Sequence, residues 1–323
     1  MKPKVLRTDA ELFIIEQYMA QLDAVARVVT AASDAPDVLA REAADASVIL
    51  TCYAEIPAPV IEAAPGLKGI VKYGVGVDNI DVEAATRAGV RVVNCPDYGS
   101  DTVADHAFAL LIGLARRLTA IDRAMRDKAW VWPAPQFLGF DLAGKTLGLI
   151  GLGRIGRAMA RRGAGFAMDI VAYDPYVDAA TMRGLGVEPA DLDALLAGAD
   201  FVSIHCVLTP QTRGLLGAAE LARMKESAFL IDVSRGAIVD EAALVAALRA
   251  GRLAGAGFDV FPDEPLKPGH PLLGMDSVIL TPHLAWYTHE AFERVERQTL
   301  DSVLDVLAGR RPANLKNVEV LTR

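Results

Sequence analysis

Three polar side chains, Arg235, Glu264 and His283, stand just beyond short apolar runs. In a parallel-strand protein, strand ends are where ligands collect. Arginine offers a planar fork that holds a carboxylate by two parallel hydrogen bonds. Histidine takes or gives a proton near neutral pH. A carboxylate beside it orients the ring and favours the imidazolium. A cation and a proton donor together suit reduction of a carbonyl next to a carboxylate. The cation anchors the acid and polarises the carbonyl, and the donor meets the developing alkoxide. Each residue also has a plainer reading. Arg235 could bridge surface carboxylates, His283 could cap a turn after Pro282, and Glu264 taken alone looks like an ordinary loop acid.

The reductant is suggested by Gly151-Leu152-Gly153-Arg154-Ile155-Gly156, which follows an apolar run and opens a helical stretch. Gly151 permits a tight turn, Gly153 lets the backbone approach a pyrophosphate, and Gly156 lets helix and strand pack. The helix start, with Arg154 and Ile155, presents amide donors to the anion. Asp174 ends the next apolar run, where a carboxylate accepts from both ribose hydroxyls. It would repel the 2′-phosphate of NADP, and Pro175-Tyr176-Val177 brings no cation, so the expected cofactor is NAD. The competing role for Asp174 is a helix cap. His205 is read as a structural strand-end histidine; His106, His270 and His289 have no evident sequence partners.

These residues need a scaffold of parallel strands. Val5–Leu6, Val48–Cys52, Gly69–Val71 and Val90–Val93 read as strands of a first part. Thr146–Ile150, Ile170–Tyr173, Phe201–Cys206, Phe229–Val233, Gly255–Val260 and Val278–Leu280 give six strands of a second. Helical stretches such as Val60–Ala64, Val82–Arg87 and Glu241–Ala250 alternate with them, which predicts an α/β fold with crossover helices. Asp105–Leu118 reads as a long, largely apolar helix, and Asp127–Asp141 as an irregular connection. Glu290–Ala308 reads as an amphipathic helix able to return over the first part.

The whole-chain balance narrows the partners. A formal charge of −8 over 323 residues argues against a phosphate-backbone binder. Cys52, Cys95 and Cys206 have neither disulfide nor zinc spacing, so no metal is expected and a reducing compartment is. No signal-peptide core opens the chain and no membrane-spanning run occurs, so the expected location is cytoplasmic.

Over nearly its whole length the sequence resembles the D-isomer-specific 2-hydroxyacid dehydrogenases. The resemblance is carried by Lys72-Tyr73-Gly74-Val75-Gly76-Val77-Asp78-Asn79-Ile80-Asp81, the glycine loop, Ser234-Arg235-Gly236, Gly257-Phe258-Asp259-Val260, Asp263-Glu264-Pro265 and Thr281-Pro282-His283. Val103-Ala104-Asp105-His106, Pro282-His283-Leu284-Ala285-Trp286-Tyr287 and Leu315-Lys316-Asn317 are most similar to the C-terminal-binding proteins and their bacterial dehydrogenase relatives. The resemblance implies that Arg235, Glu264 and His283 are the catalytic set. It implies that the Val75 and Gly76 amides hold the substrate carboxylate and that Asp259 faces the nicotinamide carboxamide. Cys206, Val207 and Thr212, with Val233 and Ser234, would run along the cofactor. Trp286, three residues after His283, would wall the substrate's variable group. The implied fold is two doubly wound parallel-sheet domains: a Rossmann NAD domain, 102–287, inserted into a split flavodoxin-like substrate domain, 1–101 and 288–323. A homodimer is implied as well. The family usually has Thr-Ala where Val233-Ser234 stands, proline at Val207, and, among the corepressor relatives, arginine at Lys72. Two other readings remain: a corepressor-like NAD-sensing protein, and a glyoxylate- or phosphoglycerate-type dehydrogenase. The last calls for a basic cluster in the first domain, which is not evident.

Overall fold

A computed structural model describes residues 2–10 and 12–322. The chain divides into two compact units, Met1–Gly99 with Thr288–Arg323, and Ser100–Tyr287. The first holds five strands: β1 (Lys4–Arg7), β2 (Arg27–Thr30), β3 (Ala46–Thr51), β4 (Gly69–Lys72) and β5 (Arg91–Val93). They pair all in parallel in the order β2-β1-β3-β4-β5. β3 and β4 are apolar and buried almost throughout, as strands covered on both faces must be. The edge strand β2, Arg-Val-Val-Thr, is exposed at both ends and was not expected from the sequence. The helix His289–Leu307 is capped by Thr288, whose hydroxyl accepts from Ala291 N. It packs on β4 so closely that a Cβ on Gly69 would lie 2.7 Å from Val306.

The second unit holds seven strands: β6 (Thr146–Ile150), β7 (Asp169–Tyr173), β8 (Glu188–Pro189), β9 (Phe201–Ile204), β10 (Phe229–Asp232), β11 (Gly255–Phe258) and β12 (Val278–Leu280). Their order is β12-β11-β10-β9-β6-β7-β8, all parallel. The six expected strands are present, and the two-residue β8 adds a seventh at the edge. The order reverses between β6 and β9, which opens a crevice at their carboxyl ends. The long apolar helix begins earlier than expected, at Ser100, and stops at Ala115. Arg117 takes a left-handed conformation, φ 55°, and a second helix, Leu118–Lys128, follows. The irregular connection therefore starts after Lys128 and contains one 3-10 turn, Pro135–Phe137. Among the described residues, no helix is long and apolar enough to cross a membrane.

Candidate active site

Both sides of the crevice in the second unit carry predicted cofactor residues. After β6, Gly151 has φ 95°, and a Cβ there would lie 2.6 Å from Cys206 N, so loop and neighbouring strand end touch backbone to backbone. A Cβ on Gly156 would lie 2.2 Å from the Gly151 carbonyl oxygen. At Gly153 the same atom would meet nothing within 4 Å. Gly153 is also the N-cap of the helix Arg154–Gly165 and has no side chain to satisfy the first amides. The loop is closed where it meets protein and open where an anion would sit, which fits a dinucleotide pyrophosphate. Asp174, beyond β7, accepts from Leu152 N at 2.8 Å and from Tyr176 N at 2.9 Å. It ties the glycine loop to its own strand end and keeps acceptor capacity for hydroxyls. Across the crevice, Cys206 is half-buried, and burial pushes its thiol up to about 12. Val207 is exposed, and Thr212 folds back to donate to the Val207 carbonyl at 2.7 Å. Val233 is buried and Ser234 half-buried where β10 ends.

The turn after β10 delivers Arg235. Asp232 Oδ1 accepts from Ser234 N at 2.7 Å and from Ser234 Oγ at 2.6 Å, and Arg235 Nη1 donates to the Ser234 carbonyl at 2.8 Å. Next in the chain, Gly236 lies against the Phe261–Pro262 backbone, where a Cβ would be 2.2 Å from Phe261 C. That close approach joins the ends of β10 and β11. Beyond β11 the loop is pinned by Phe261 N donating to Glu264 Oε1 at 2.9 Å. The other oxygen, Oε2, lies 2.7 Å from His283 Nδ1. Burial works to raise the Glu264 carboxyl, but the hydrogen bond and charge of His283, with the Phe261 amide and Arg235, outweigh it. Its pKa sits below the ordinary value. Glu264 is thus held as an anion against the imidazole.

His283 itself has φ 56°, a left-handed conformation that costs a non-glycine residue about 1–3 kcal/mol. Asp259, fully buried, holds it there. The Asp259 carbonyl accepts from His283 N at 2.7 Å. Its carboxylate accepts from Thr281 Oγ1 at 2.5 Å, Leu284 N at 2.9 Å and Ala285 N at 2.8 Å. Three of its roughly four acceptor positions are thus occupied by the His283 loop. Trp286 is only 7 % exposed and packs edge-on to Tyr287, ring centres 5.1 Å apart.

In the first unit, β4 runs into Gly74, φ 139°, followed by Val75 and Gly76. Asn94 Nδ2 donates to the Val75 carbonyl at 2.6 Å, and Cys95 N donates to the Gly74 carbonyl at 2.8 Å. Among the described residues, no hydrogen bond uses the Val75 or Gly76 amide. Lys72 is buried beside this turn, with Nζ donating to the Cys52 carbonyl and to Asn79 Oδ1.

The structure therefore brings together Arg235, Glu264 and His283 around the ends of β10, β11 and β12, and the glycine loop, Asp174 and Cys206 around β6, β7 and β9. Several contributors were missed in the sequence. His106 Nε2 lies 2.9 Å from Thr281 Oγ1 and 3.7 Å from Asp259, a partnership that no local spacing betrays. Asn94 follows β5 directly, so the strand-end argument applied to Arg235 could have found it. His205 is half-buried, with Nε2 2.9 Å from Ser203 Oγ, and desolvation of its ring lowers its pKa to about 3, in keeping with a structural role.

Residues 108–285 match the family model for the D-isomer specific 2-hydroxyacid dehydrogenase NAD binding domain. A glyoxylate reductase from Korarchaeum cryptofilum is 45% identical over 268 residues, 82% of this chain and 81% of that protein. A D-3-phosphoglycerate dehydrogenase from Archaeoglobus fulgidus is 39% identical over 276 residues, 84% of this chain but only 52% of that protein. The solved structure of D-lactate dehydrogenase from Aquifex aeolicus, complexed with NAD and lactic acid, superposes with a TM-score of 0.89 at 29% identity. It covers 97% of this chain and 99% of that one. The family model over more than half of the chain and the 45% identical relative show that the chain belongs to the D-isomer specific 2-hydroxyacid dehydrogenase family, and the two-sheet parallel fold matches the solved neighbour.

Proposed function

We propose that this protein interconverts 2-oxo acids and D-2-hydroxy acids with NAD as its cofactor. The observation that carries the reading is the His283–Glu264 pair at 2.7 Å, set beside the turn that delivers Arg235. Bound NADH would supply the hydride. Gly151, Gly153, Arg154, Ile155 and Gly156 would receive the pyrophosphate, and Asp174 would take the ribose hydroxyls and disfavour a 2′-phosphate. Cys206, Val207, Thr212, Val233 and Ser234 would run along the cofactor, and Asp259 would face the nicotinamide carboxamide. In reduction, Arg235 holds the substrate carboxylate and polarises the 2-oxo group, and the Val75 and Gly76 amides supply further donors. His283, protonated, gives its Nε2 proton to the developing alkoxide, and Glu264 stabilises the imidazolium through Nδ1. Trp286 forms an apolar wall for the substrate's side chain. The protein acts in the cytoplasm as a homodimer.

NADH oxidation across 2-oxo acids of increasing side-chain length tests the reading. Medium-sized apolar 2-oxo acids are expected to surpass glyoxylate, each well-placed methylene contributing about 1 kcal/mol at most. Glyoxylate itself is the second reading, favoured by the 45% identical glyoxylate reductase. Trp286→Ala is expected to raise KM for the larger acids more than for glyoxylate; equal losses would remove Trp286 from substrate selection. A wild type that prefers NADPH would overturn the role of Asp174, and no turnover of any 2-oxo acid would overturn the function.

A further inference from the structure

One carboxyl group at the site has no role in this scheme. Asp232, the last residue of β10, is fully buried. Its Oδ1 is doubly bonded by Ser234, whereas its Oδ2 is buried without any hydrogen-bond partner among the described residues. Asp232 begins the turn that ends in Arg235, and the Arg235 guanidinium grips the same Ser234 from the other side, through its carbonyl. We propose that Asp232 is a positioning residue for Arg235, and that a proton on its Oδ2 sets how tightly the guanidinium holds the substrate carboxylate. The proposal rests on the reading of Arg235 as the carboxylate anchor.

The geometry separates two tasks between two oxygens. Oδ1 accepts from Ser234 whether the acid is charged or neutral, so the turn keeps its shape through a titration. Oδ2 is where charge would appear, in a place that offers it no donor and no water-facing surface, so the neutral acid is favoured. Burial accordingly raises the Asp232 pKa to about 7, with Asp259 adding to the rise and Ser234 and Arg235 opposing it. The charged or titratable groups around it are few. Arg235 lies on its own turn, Asp259 on the end of β11, and Cys206 with the neutral His205 on the end of β9. Cys206 holds its proton throughout the neutral range, so the charge that changes near neutrality on this turn is that of Asp232. When Oδ2 loses its proton to solvent, the new anion attracts Arg235 and competes with an incoming carboxylate. Linkage makes this reciprocal: a carboxylate seated on Arg235 strengthens the hold of Asp232 on its proton.

Carbon-13 NMR of the aspartate carboxyl carbons, with the Asp232 signal assigned by its loss in Asp232→Asn, tests the coupling in the protein without substrate. The midpoint is expected near neutrality, and higher in Arg235→Gln, which lacks the opposing cation. A midpoint in the ordinary carboxylate range, or one that Arg235→Gln leaves in place, would overturn the proposal. The second arm measures inhibition by oxamate, an unreactive 2-oxo acid mimic, at saturating NADH from a unit below to a unit above neutrality. Wild type is expected to loosen its grip by about three- to tenfold more than Asp232→Asn, up to one pKa unit's worth of coupling. Asp232→Asn keeps the Oδ1 acceptor and so the turn, and its melting temperature checks the fold. Superimposable oxamate profiles would overturn the role of Asp232. Failure of wild type to bind oxamate at any pH would instead overturn the substrate role of Arg235.

Discussion

At the scale of single residues, the site depends on charges held in fixed relation. Glu264 stays ionised well into acid because its pKa is depressed, so throughout the neutral range it faces His283 as an anion. In the proposed mechanism the reduction direction draws its proton from His283, with the Glu264 anion beside it. Glu264→Gln keeps the shape but removes that charge, so kcat/KM for reduction is expected to fall by about tenfold or more. An unchanged kcat/KM would separate the two residues. In the proposed mechanism Arg235 acts through a bidentate fork rather than charge alone. Arg235→Ala is expected to lower kcat/KM by about 3 kcal/mol or more, two orders of magnitude, and Arg235→Lys to recover only part. Near-normal turnover in either would remove Arg235 from the mechanism. Arg235 and His283 were legible in the sequence because each closely follows an apolar strand run, whereas Glu264, six residues beyond β11, reads locally as an ordinary loop acid and was picked out only by the family resemblance. His106 was not, because its partners Thr281 and Asp259 lie far along the chain and meet only in the fold.

At the scale of elements, parallel strands end in turns whose shape is fixed by carboxylates buried at the strand ends. Asp259 ends the β11 run and fastens four successive points of the loop after β12. Thr281 links it to His106. Thr281→Val removes that hydroxyl at nearly constant volume, and loosening the left-handed His283 is expected to cost kcat about five- to thirtyfold, the equivalent of 1–2 kcal/mol. Steady-state kinetics with unchanged cofactor affinity would support this; an unchanged kcat would show that Asp259 holds the loop without it. Asp232 does the corresponding work at β10, with an effect on stability. Its folded pKa, about 7, lies above the ordinary carboxylate value, so the folded state keeps a proton that the unfolded chain releases. Stability from this group is therefore full in acid, falls as pH rises from the ordinary carboxylate range, and levels above about 7. Asp232→Asn is expected to gain unfolding free energy relative to wild type on going from mild acid to mild alkali, by on the order of 1–3 kcal/mol, read from denaturant unfolding at each pH. A pH-independent gap would contradict the shift. The sequence showed the central strands because strands buried on both faces are continuously apolar, as in Ala46–Thr51. It hid β2 and β8, which lie at sheet edges where a short, partly exposed strand leaves little pattern. It also hid the helix Leu118–Lys128, whose mixed composition lacks the apolar density of its predecessor.

At the scale of the molecule, the second unit carries apolar surface that its own fold leaves uncovered. The helix Leu118–Lys128 has no buried residue, although Leu118, Ile121 and Met125 recur at helical spacing along it. Its charged side is engaged in ion pairs, Arg126 with Asp122 and Arg123 with Asp276. The chain beyond it presents Trp130, 63 % exposed, Trp132, 77 %, and Leu138, 76 %. The two indoles stand edge to face with centres 6.0 Å apart, so they form one raised apolar feature and not two scattered residues. Single exposed apolar residues are ordinary on a protein surface, but a contiguous run with paired tryptophans marks an interaction site. Tryptophan is the residue most enriched among those that dominate binding energy, at about 2 kcal/mol or more each. A homodimer that buries this segment should therefore lose about 4 kcal/mol on removal of both indoles, close to a thousandfold in Kd. In sedimentation at micromolar concentration, wild type is expected as a dimer and Trp130→Ser with Trp132→Ser as a monomer. Unchanged circular dichroism would confirm that the monomer is folded. A wild type that remains monomeric at tens of micromolar, or a double variant that still dimerises, would assign this surface to something other than a second copy of the chain.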